Sequence, residues 1–177
     1  MKLVFLDIDG VLNSNTWAKL FGFGDTPKIK TAKYKTDKPK YYAERAKFNP
    51  SSVKLLNDLC KQSKAKVVIS STWRLTSGVR LGDGIEYWND LFHYICKEFN
   101  QKCFIDVIGI TPFIFFEREK EIKSFIKDYP KSEVEKFVII DDNDDGISDL
   151  FKDEFVQVSD DYGFGIPDLL KCARILE

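Results

Sequence analysis

The chain has 177 residues, of which 44% are hydrophobic and 31% charged, and its formal net charge is −1. This length predicts a single domain, residues 1–177, with one continuous core, and the composition excludes a fibrous or intrinsically disordered protein. The near-neutral charge argues against a protein that wraps nucleic acid over its whole surface, but it is compatible with a local basic patch.

The cysteines and the apolar runs bear on the cellular compartment. The chain has four scattered cysteines, Cys60, Cys96, Cys103 and Cys172. They form no CxxC pair and have no histidine partner at zinc-finger spacing, so the pattern favours reduced thiols over a disulfide framework or a zinc knuckle. No apolar run has the length of a signal-peptide core or of a membrane span. We therefore expect a cytoplasmic protein without membrane contact.

Three short apolar runs end abruptly in small polar or acidic residues. They are Leu3–Leu6 before Asp7, Val67–Ile69 before Ser70 and Ser71, and Phe137–Ile140 before Asp141. Continuous apolar runs of this length predict strands that are buried on both faces, as in parallel sheets covered by helices. Two further strands are predicted at Cys103–Ile110 and, shorter, at Phe155–Val158.

Segments with helical periodicity lie between these runs. A helix is predicted to open at Pro50, a second covers Glu117–Tyr129, an aromatic one lies within Tyr87–Phe99, and a last one covers Pro167–Leu176. Strands that alternate with helices predict an α/β fold with a central, mostly parallel sheet flanked by helices.

In an open α/β sheet the ligand lies beyond the carboxyl ends of the strands. The residues expected there are Asp7, Asp9, Ser71, Thr72, Asp141 and Asp142. Neighbouring carboxylates raise one another's pKa, and such clusters usually exist because a divalent cation neutralises them. Magnesium suits the side chains of Asp7 and Asp141 with a backbone carbonyl at Asp9, whereas zinc favours histidine or cysteine, and the only histidine is His93.

These residues resemble, in order along the chain, the four motifs of the haloacid dehalogenase (HAD) superfamily. The string DIDGV at Asp7–Val11 resembles the first motif, where the leading aspartate is the nucleophile and the second is the general acid and base. The resemblance gives these roles to Asp7 and Asp9. Ser71 resembles the second-motif hydroxyl that binds the phosphoryl group, and Gly10 lies where the chain passes the substrate.

The remaining two motifs have one clear and one ambiguous match. Arg118 resembles the third-motif cation, with Lys120 as the alternative, and Asp141 with Asp142 resembles the acidic fourth motif of the metal site. Ser70 and Thr72 leave the register of the second motif open, with Thr72 and Lys120 as further substrate contacts. The resemblance implies a Rossmann-like HAD fold with a small cap at most, a Mg²⁺ cofactor, and hydrolysis of a phosphomonoester through an aspartyl-phosphate.

A narrower resemblance rests on three strings, which are Leu6–Asn13, Ile69–Arg74 and Phe155–Gln157. They are similar to the small HAD domains associated with RNA-repair proteins, which implies a nucleotide or a nucleic-acid terminus as substrate. Two features depart from the expected pattern: no glycine follows Arg118, and the segment Thr26–Lys47 is longer than a minimal domain needs.

A basic insertion at about residues 14–48 leaves the substrate open. Its part 28–47 carries seven lysines and an arginine among three tyrosines, and this mixture suits single-stranded nucleic acid, although a solvated surface loop has the same composition. Two alternatives therefore remain. One is a phosphatase of sugars or other small metabolites, and the other is a catalytically silent module that only binds nucleic acid.

Overall fold

The apolar runs form strands and the periodic segments form helices, in alternation along the chain. The computed structural model describes residues 1–21, 48–75, 84–130 and 133–177. The strands within them are β1 (Lys2–Leu6), β2 (Lys66–Ile69), β3 (Val107–Ile110), β4 (Lys136–Asp141) and β5 (Phe155–Gln157). The helices are α1 (Asn15–Phe21), α2 (Pro50–Ser63), α3 (Gly84–Glu98), α4 (Arg118–Asp128), α5 (Ile147–Phe151) and α6 (Ile166–Leu176), with a 3-10 helix at Thr72–Leu75.

The strands form one 5-stranded sheet in the order β3-β2-β1-β4-β5. Every pairing in it is parallel. From β1 the chain moves outward through β2 to β3, and it then returns to the other side of β1 to add β4 and β5. The direction of winding therefore reverses between β1 and β4, and such a switch point opens a crevice at the carboxyl ends of the two strands. The predicted α/β class with a Rossmann-like sheet is confirmed.

Strand β3 is shorter than the predicted Cys103–Ile110, because a side chain binds the backbone before Val107. Asn57 on α2 donates its amide to the carbonyl of Lys102 at 3.0 Å and accepts the N–H of Phe104 at 2.7 Å. These peptide groups are therefore satisfied by a helix rather than by a neighbouring strand. The last strand also ends one residue earlier than predicted, at Gln157.

Alternate residues of the strands face two separate hydrophobic clusters. On one face, Val4 and Leu6 pack in the larger cluster with residues of α2, α3 and α6. On the other face, Leu3 and Phe5 pack with Ile122 of α4 and with residues of α5. Full burial of one such side chain stabilises the fold by about 1.5–3 kcal/mol, so both faces hold the carboxyl edge of the sheet in place.

The predicted insertion at about residues 14–48 includes α1, and residues 22–47, with the basic part 28–47, lie outside the described residues. None of the described helices combines the length and the apolar character that a membrane crossing requires. All four cysteines are free.

Candidate active site

The register of the sheet brings the ends of three strands together. Leu6 at the end of β1 is aligned with Ile69 of β2 and Ile140 of β4. The pairing continues beyond Leu6, because the N–H of Asp7 donates to the carbonyl of Ile140 at 3.0 Å and the N–H of Ser70 donates to Leu6 at 2.8 Å. The polar residues that follow the three apolar runs therefore leave the sheet side by side.

Three carboxylates meet at this edge and form what we call the acidic cluster: Asp7, Asp141 and Asp142. Each offers an oxygen atom, and these oxygens lie within 4.8 Å of one another. Asp7 and Asp141 are buried, whereas Asp142 is partly exposed. Burial raises the pKa of Asp7 to about 7 and the pKa of Asp141 to about 8, and in Asp141 the charge of Asp7 adds to the effect. The acidic cluster thus carries more negative charge than its surroundings balance.

Among the described residues, Arg118 is the cation that contacts the acidic cluster. Its side chain is buried, with Nη2 at 3.4 Å from Oδ1 of Asp7 and Nε at 3.4 Å from Oδ2 of Asp141. Nη1 also donates to the hydroxyl of Ser70 at 3.4 Å. The guanidinium lowers the pKa of both aspartates, although burial outweighs it. Because Arg118 is the first residue of α4, the start of this helix determines the position of the guanidinium.

Glu121, one turn further along α4, supports this arginine and was not predicted from the sequence. Its side chain is buried, with Oε2 at 4.0 Å from Nη1 of Arg118. Its other oxygen accepts the N–H of Ile114 at 3.0 Å, in the loop that precedes the helix. The sequence signal was the spacing of three residues from Arg118, which puts both side chains on one helix face, but alternating charges concealed it.

The donor atoms of the acidic cluster suit a hard divalent cation. All three ligand groups are carboxylates, and the set contains neither histidine nor cysteine. Magnesium binds oxygen ligands of this kind and usually keeps several waters, whereas a structural zinc site prefers nitrogen and sulfur. The excess negative charge around Asp7 and Asp141 is what such a cation would neutralise.

Asp9 is held apart from the acidic cluster by two neutral donors. The amide of Asn13 donates to Oδ1 at 2.8 Å, and the indole N–H of Trp73 donates to Oδ2 at 2.7 Å. The carboxylate of Asp9 is nevertheless near enough to raise the pKa of Asp7 and of Asp142. Trp73 lies in the string Ile69–Arg74, which carried part of the family resemblance. Its contact with Asp9 has no local sequence signal, because the two residues are 64 positions apart.

The sequence directly matches a known protein family. Residues 3–169 match the family described as the HAD domain in Swiss Army Knife RNA repair proteins. The chain belongs to this family. Membership confirms the resemblance to the HAD superfamily and to its RNA-repair-associated domains, and it supports a phosphohydrolase-type function in general. No curated protein and no solved structure gives a significant match.

Gly10 of this HAD domain passes directly against the acidic cluster. Its φ is +69°, in the left-handed region, and a β-carbon at this position would lie 2.3 Å from Cγ of Asp142. Both the backbone conformation and the lack of space therefore require glycine. The chain can turn sharply after Asp9 only because no side chain stands between it and Asp142.

The hydroxyl residues of the HAD domain separate by their surroundings. Ser71 is buried and hydrogen-bonds Asp7, which lowers the pKa of that carboxyl. Ser70 faces Arg118 instead, and Thr72 is exposed at the start of the 3-10 helix. The structure thus brings Ser71 to the predicted nucleophile, while Thr72 has no described contact with the acidic cluster.

Lys120, the alternative to Arg118, is not brought to the acidic cluster. It is exposed, and its Nζ lies 2.5 Å from Oε1 of Glu117. The hydrogen bond to Glu117 raises the pKa of Lys120, so the ammonium pairs with Glu117 at the surface.

Asp144 binds residues of its own loop and helix, since it accepts the backbone N–H and the hydroxyl of Ser148 at 2.7 and 2.5 Å.

Proposed function

We propose that this HAD domain is a Mg²⁺-dependent phosphatase that hydrolyses phosphomonoesters through an aspartyl-phosphate on Asp7. The observation that carries the proposal is the buried acidic cluster, in which Asp7 lies beside Asp141 and Asp142 with Arg118 in contact. Burying carboxylates of like charge beside one another destabilises the folded protein. Groups of this kind are typical of functional sites.

The first step transfers the phosphoryl group to Asp7. An Oδ atom of Asp7 forms a bond to phosphorus while the bond from phosphorus to the ester oxygen breaks. Asp9 donates a proton to the departing oxygen, which leaves as an alcohol. Arg118 and Ser71 supply N–H and O–H donors for the phosphoryl oxygens, on which the negative charge is spread.

The second step releases phosphate and restores the enzyme. Asp9, now a carboxylate, accepts a proton from water as the water oxygen bonds to phosphorus and the bond to Asp7 breaks. Asp7, Asp141 and Asp142, with the backbone carbonyl of Asp9, would hold a Mg²⁺ ion, which would supply the positive charge that offsets the repulsion between the Asp7 carboxylate and the anionic phosphate. The hydrogen bonds from Asn13 and Trp73 keep Asp9 beside the path of both protons.

We further propose that the phosphate belongs to a nucleotide or to a nucleic-acid terminus. The support is the family description, which names RNA repair proteins. The two other interpretations make distinct predictions: a metabolite phosphatase prefers small esters, and a silent binding module turns over neither kind of substrate.

The test is Mg²⁺-dependent phosphate release from p-nitrophenyl phosphate, mononucleotides, sugar phosphates, and oligonucleotides phosphorylated at the 5′ or the 3′ end. Asp7→Asn should abolish turnover, since an amide is a poor nucleophile. The matched control is Asp58→Asn, which alters only an exposed ion pair with Lys54 on α2 and should leave turnover intact.

Equal background from the wild type and Asp7→Asn on every substrate would overturn the proposed function. The binding module would then be the better interpretation, provided that both proteins bind oligonucleotides with the same steep dependence on salt.

A further inference from the structure

The loop between β3 and α4 exposes an unusual group of aromatic rings, which we call the aromatic turn: Phe113, Phe115 and Phe116. These side chains are 46%, 84% and 67% exposed, respectively. The ring of Phe113 lies 6.1 Å from that of Phe115 and 5.0 Å from that of Phe116, between centroids. Isolated exposed hydrophobic residues are common, but a contiguous aromatic group of this kind usually marks a binding surface.

The backbone of the aromatic turn is strained. Phe115 and Phe116 have φ angles of 47° and 65°, in the left-handed region that bulky L residues rarely adopt. Glycine or asparagine would be expected at both positions if stability alone mattered. Strain of this kind persists only where the surroundings impose it, and it concentrates at ligand sites.

The surroundings that impose it are hydrogen bonds at both ends of the turn. The N–H of Ile114 donates to Glu121 at 3.0 Å, and the N–H of Glu117 donates to the carbonyl of Ile114 at 2.9 Å. Glu121 is also the residue that contacts Arg118. The same buried carboxylate thus anchors the aromatic turn and the arginine of the acidic cluster.

The aromatic turn flanks the acidic cluster at the same edge of the sheet. It follows the carboxyl end of β3, and β3 is separated from β1 by one strand. At the usual strand spacing the ends of β1 and β3 are about 10 Å apart. A substrate with its phosphate at Asp7 can therefore extend over β2 and reach the rings.

We propose that the aromatic turn is a stacking site for unpaired nucleobases next to the phosphate that is processed at Asp7. This inference rests on the proposed function and adds a base-binding site to it. The rings offer flat apolar faces without charge, and therefore suit the faces of bases rather than phosphates. Every base has such a face, so stacking tolerates any sequence but requires a single strand. The turn selects for polynucleotide ends over small phosphate esters.

The experiment compares the double variant Phe115→Ala/Phe116→Ala with the wild type. Both side chains project into solvent, so the fold should survive, and circular dichroism checks this. The matched control is Phe99→Ala, which removes a ring that is 39% exposed and follows the end of α3, a helix that packs on the other face of the sheet from α4. Substrates are a single-stranded phosphorylated oligonucleotide, the same strand with abasic sites beside the phosphate, and p-nitrophenyl phosphate.

We expect the double variant to raise KM for the oligonucleotide about 10-fold, as loss of base stacking would. Turnover of p-nitrophenyl phosphate and of the abasic strand should be unchanged, and Phe99→Ala should match the wild type throughout. An unchanged KM for the oligonucleotide would overturn the inference and favour a protein-docking role for the rings. An equal loss on p-nitrophenyl phosphate would also overturn it, because the turn would then only support Arg118.

Failure of the proposed function has a separate signature, which is that the wild type hydrolyses none of the substrates. The stacking site is then judged by the anisotropy of a labelled single strand at fixed salt. About 10-fold weaker binding by the double variant, with Phe99→Ala unchanged, supports it. Equal affinities overturn it.

Discussion

At the scale of single residues, the contact between Trp73 and Asp9 is the most informative one, because it fixes the carboxylate that we propose to move protons. Two N–H groups hold its two oxygens at 2.8 and 2.7 Å. A carboxylate held in this way loses rotational freedom, and in the proposed mechanism this keeps it beside the leaving group, where general acid catalysis requires it.

Trp73→Phe should therefore impair catalysis more than stability. Phenylalanine preserves an aromatic ring against Phe48, whose centroid lies 6.0 Å away, but it removes the donor to Asp9. We expect kcat for a nucleotide to fall about 10-fold, the usual effect of losing one hydrogen bond to a charged group. Formation of nitrophenol from p-nitrophenyl phosphate should fall less in a pre-steady-state burst, since that leaving group needs little protonation.

Trp17→Phe is the control for Trp73→Phe. The indole N–H of Trp17 is buried and has no acceptor among the described residues. Its removal should leave kcat unchanged. If Trp17→Phe and Trp73→Phe reduce kcat equally, or if Trp73→Phe leaves kcat intact, the hypothesis that Trp73 positions Asp9 is wrong.

Gly10 gives a second prediction at this scale. Gly10→Ala would place a β-carbon 2.3 Å from Asp142 at a φ of +69°, so Asp142 must move. We expect the free energy of unfolding to fall by about 1–3 kcal/mol and the apparent affinity for Mg²⁺ to weaken. Urea denaturation and Mg²⁺ titration of activity measure the two effects.

A matched glycine tests whether the effect of Gly10→Ala is local. A β-carbon at Gly165 would meet its nearest neighbours at 3.6 Å, and the backbone there is extended. Gly165→Ala should therefore change the unfolding free energy little and the Mg²⁺ dependence not at all. Equal losses in the two variants would contradict the proposed crowding against Asp142.

At the scale of elements, the sequence predicts what depends on local pattern. The three apolar runs identified β1, β2 and β4 because burial on both faces makes them continuous, and their abrupt ends marked the positions of Asp7 and Asp141. What failed depends on contacts between distant elements. Asn57 shortens β3, and no sequence pattern reveals that Trp73 contacts Asp9. Glu121 differs, because its spacing from Arg118 gave a signal that the alternating charges concealed.

The next prediction concerns how helix α4 is attached to the loop that precedes it. Glu121→Gln keeps an oxygen that can accept the N–H of Ile114, whereas Glu121→Ala removes both that acceptor and the carboxylate beside Arg118. We expect Glu121→Ala to lower the unfolding free energy by about 1–3 kcal/mol and Glu121→Gln to lower it less. Urea midpoints measure this, and identical losses would show that the hydrogen bond to the loop is unimportant.

At the scale of the whole molecule, the acidic cluster links stability to pH and to magnesium. Burial raises the pKa of Asp7 to about 7 and of Asp141 to about 8, from a common unperturbed value of 3.8. Between these limits the folded chain holds protons that the unfolded chain has released. Without metal, the two groups therefore reduce the free energy of unfolding as pH rises from about 4 to about 8.

Asp7→Asn isolates this effect from that of other carboxylates. In EDTA the variant should be no less stable than the wild type near pH 5 and more stable, by several kcal/mol, near pH 8, because the wild type must ionise a buried carboxyl that the variant lacks. Mg²⁺ should stabilise the wild type at pH 8 and the variant much less, since binding to the folded state alone raises its stability. Thermal unfolding at the two pH values, with and without Mg²⁺, measures both.

If the stability advantage of Asp7→Asn shrinks as pH rises, the acidic cluster does not hold a buried charge that destabilises the metal-free protein. Asp58→Asn, which alters a half-buried carboxylate outside the acidic cluster, is the control and should leave the stabilisation by Mg²⁺ unchanged.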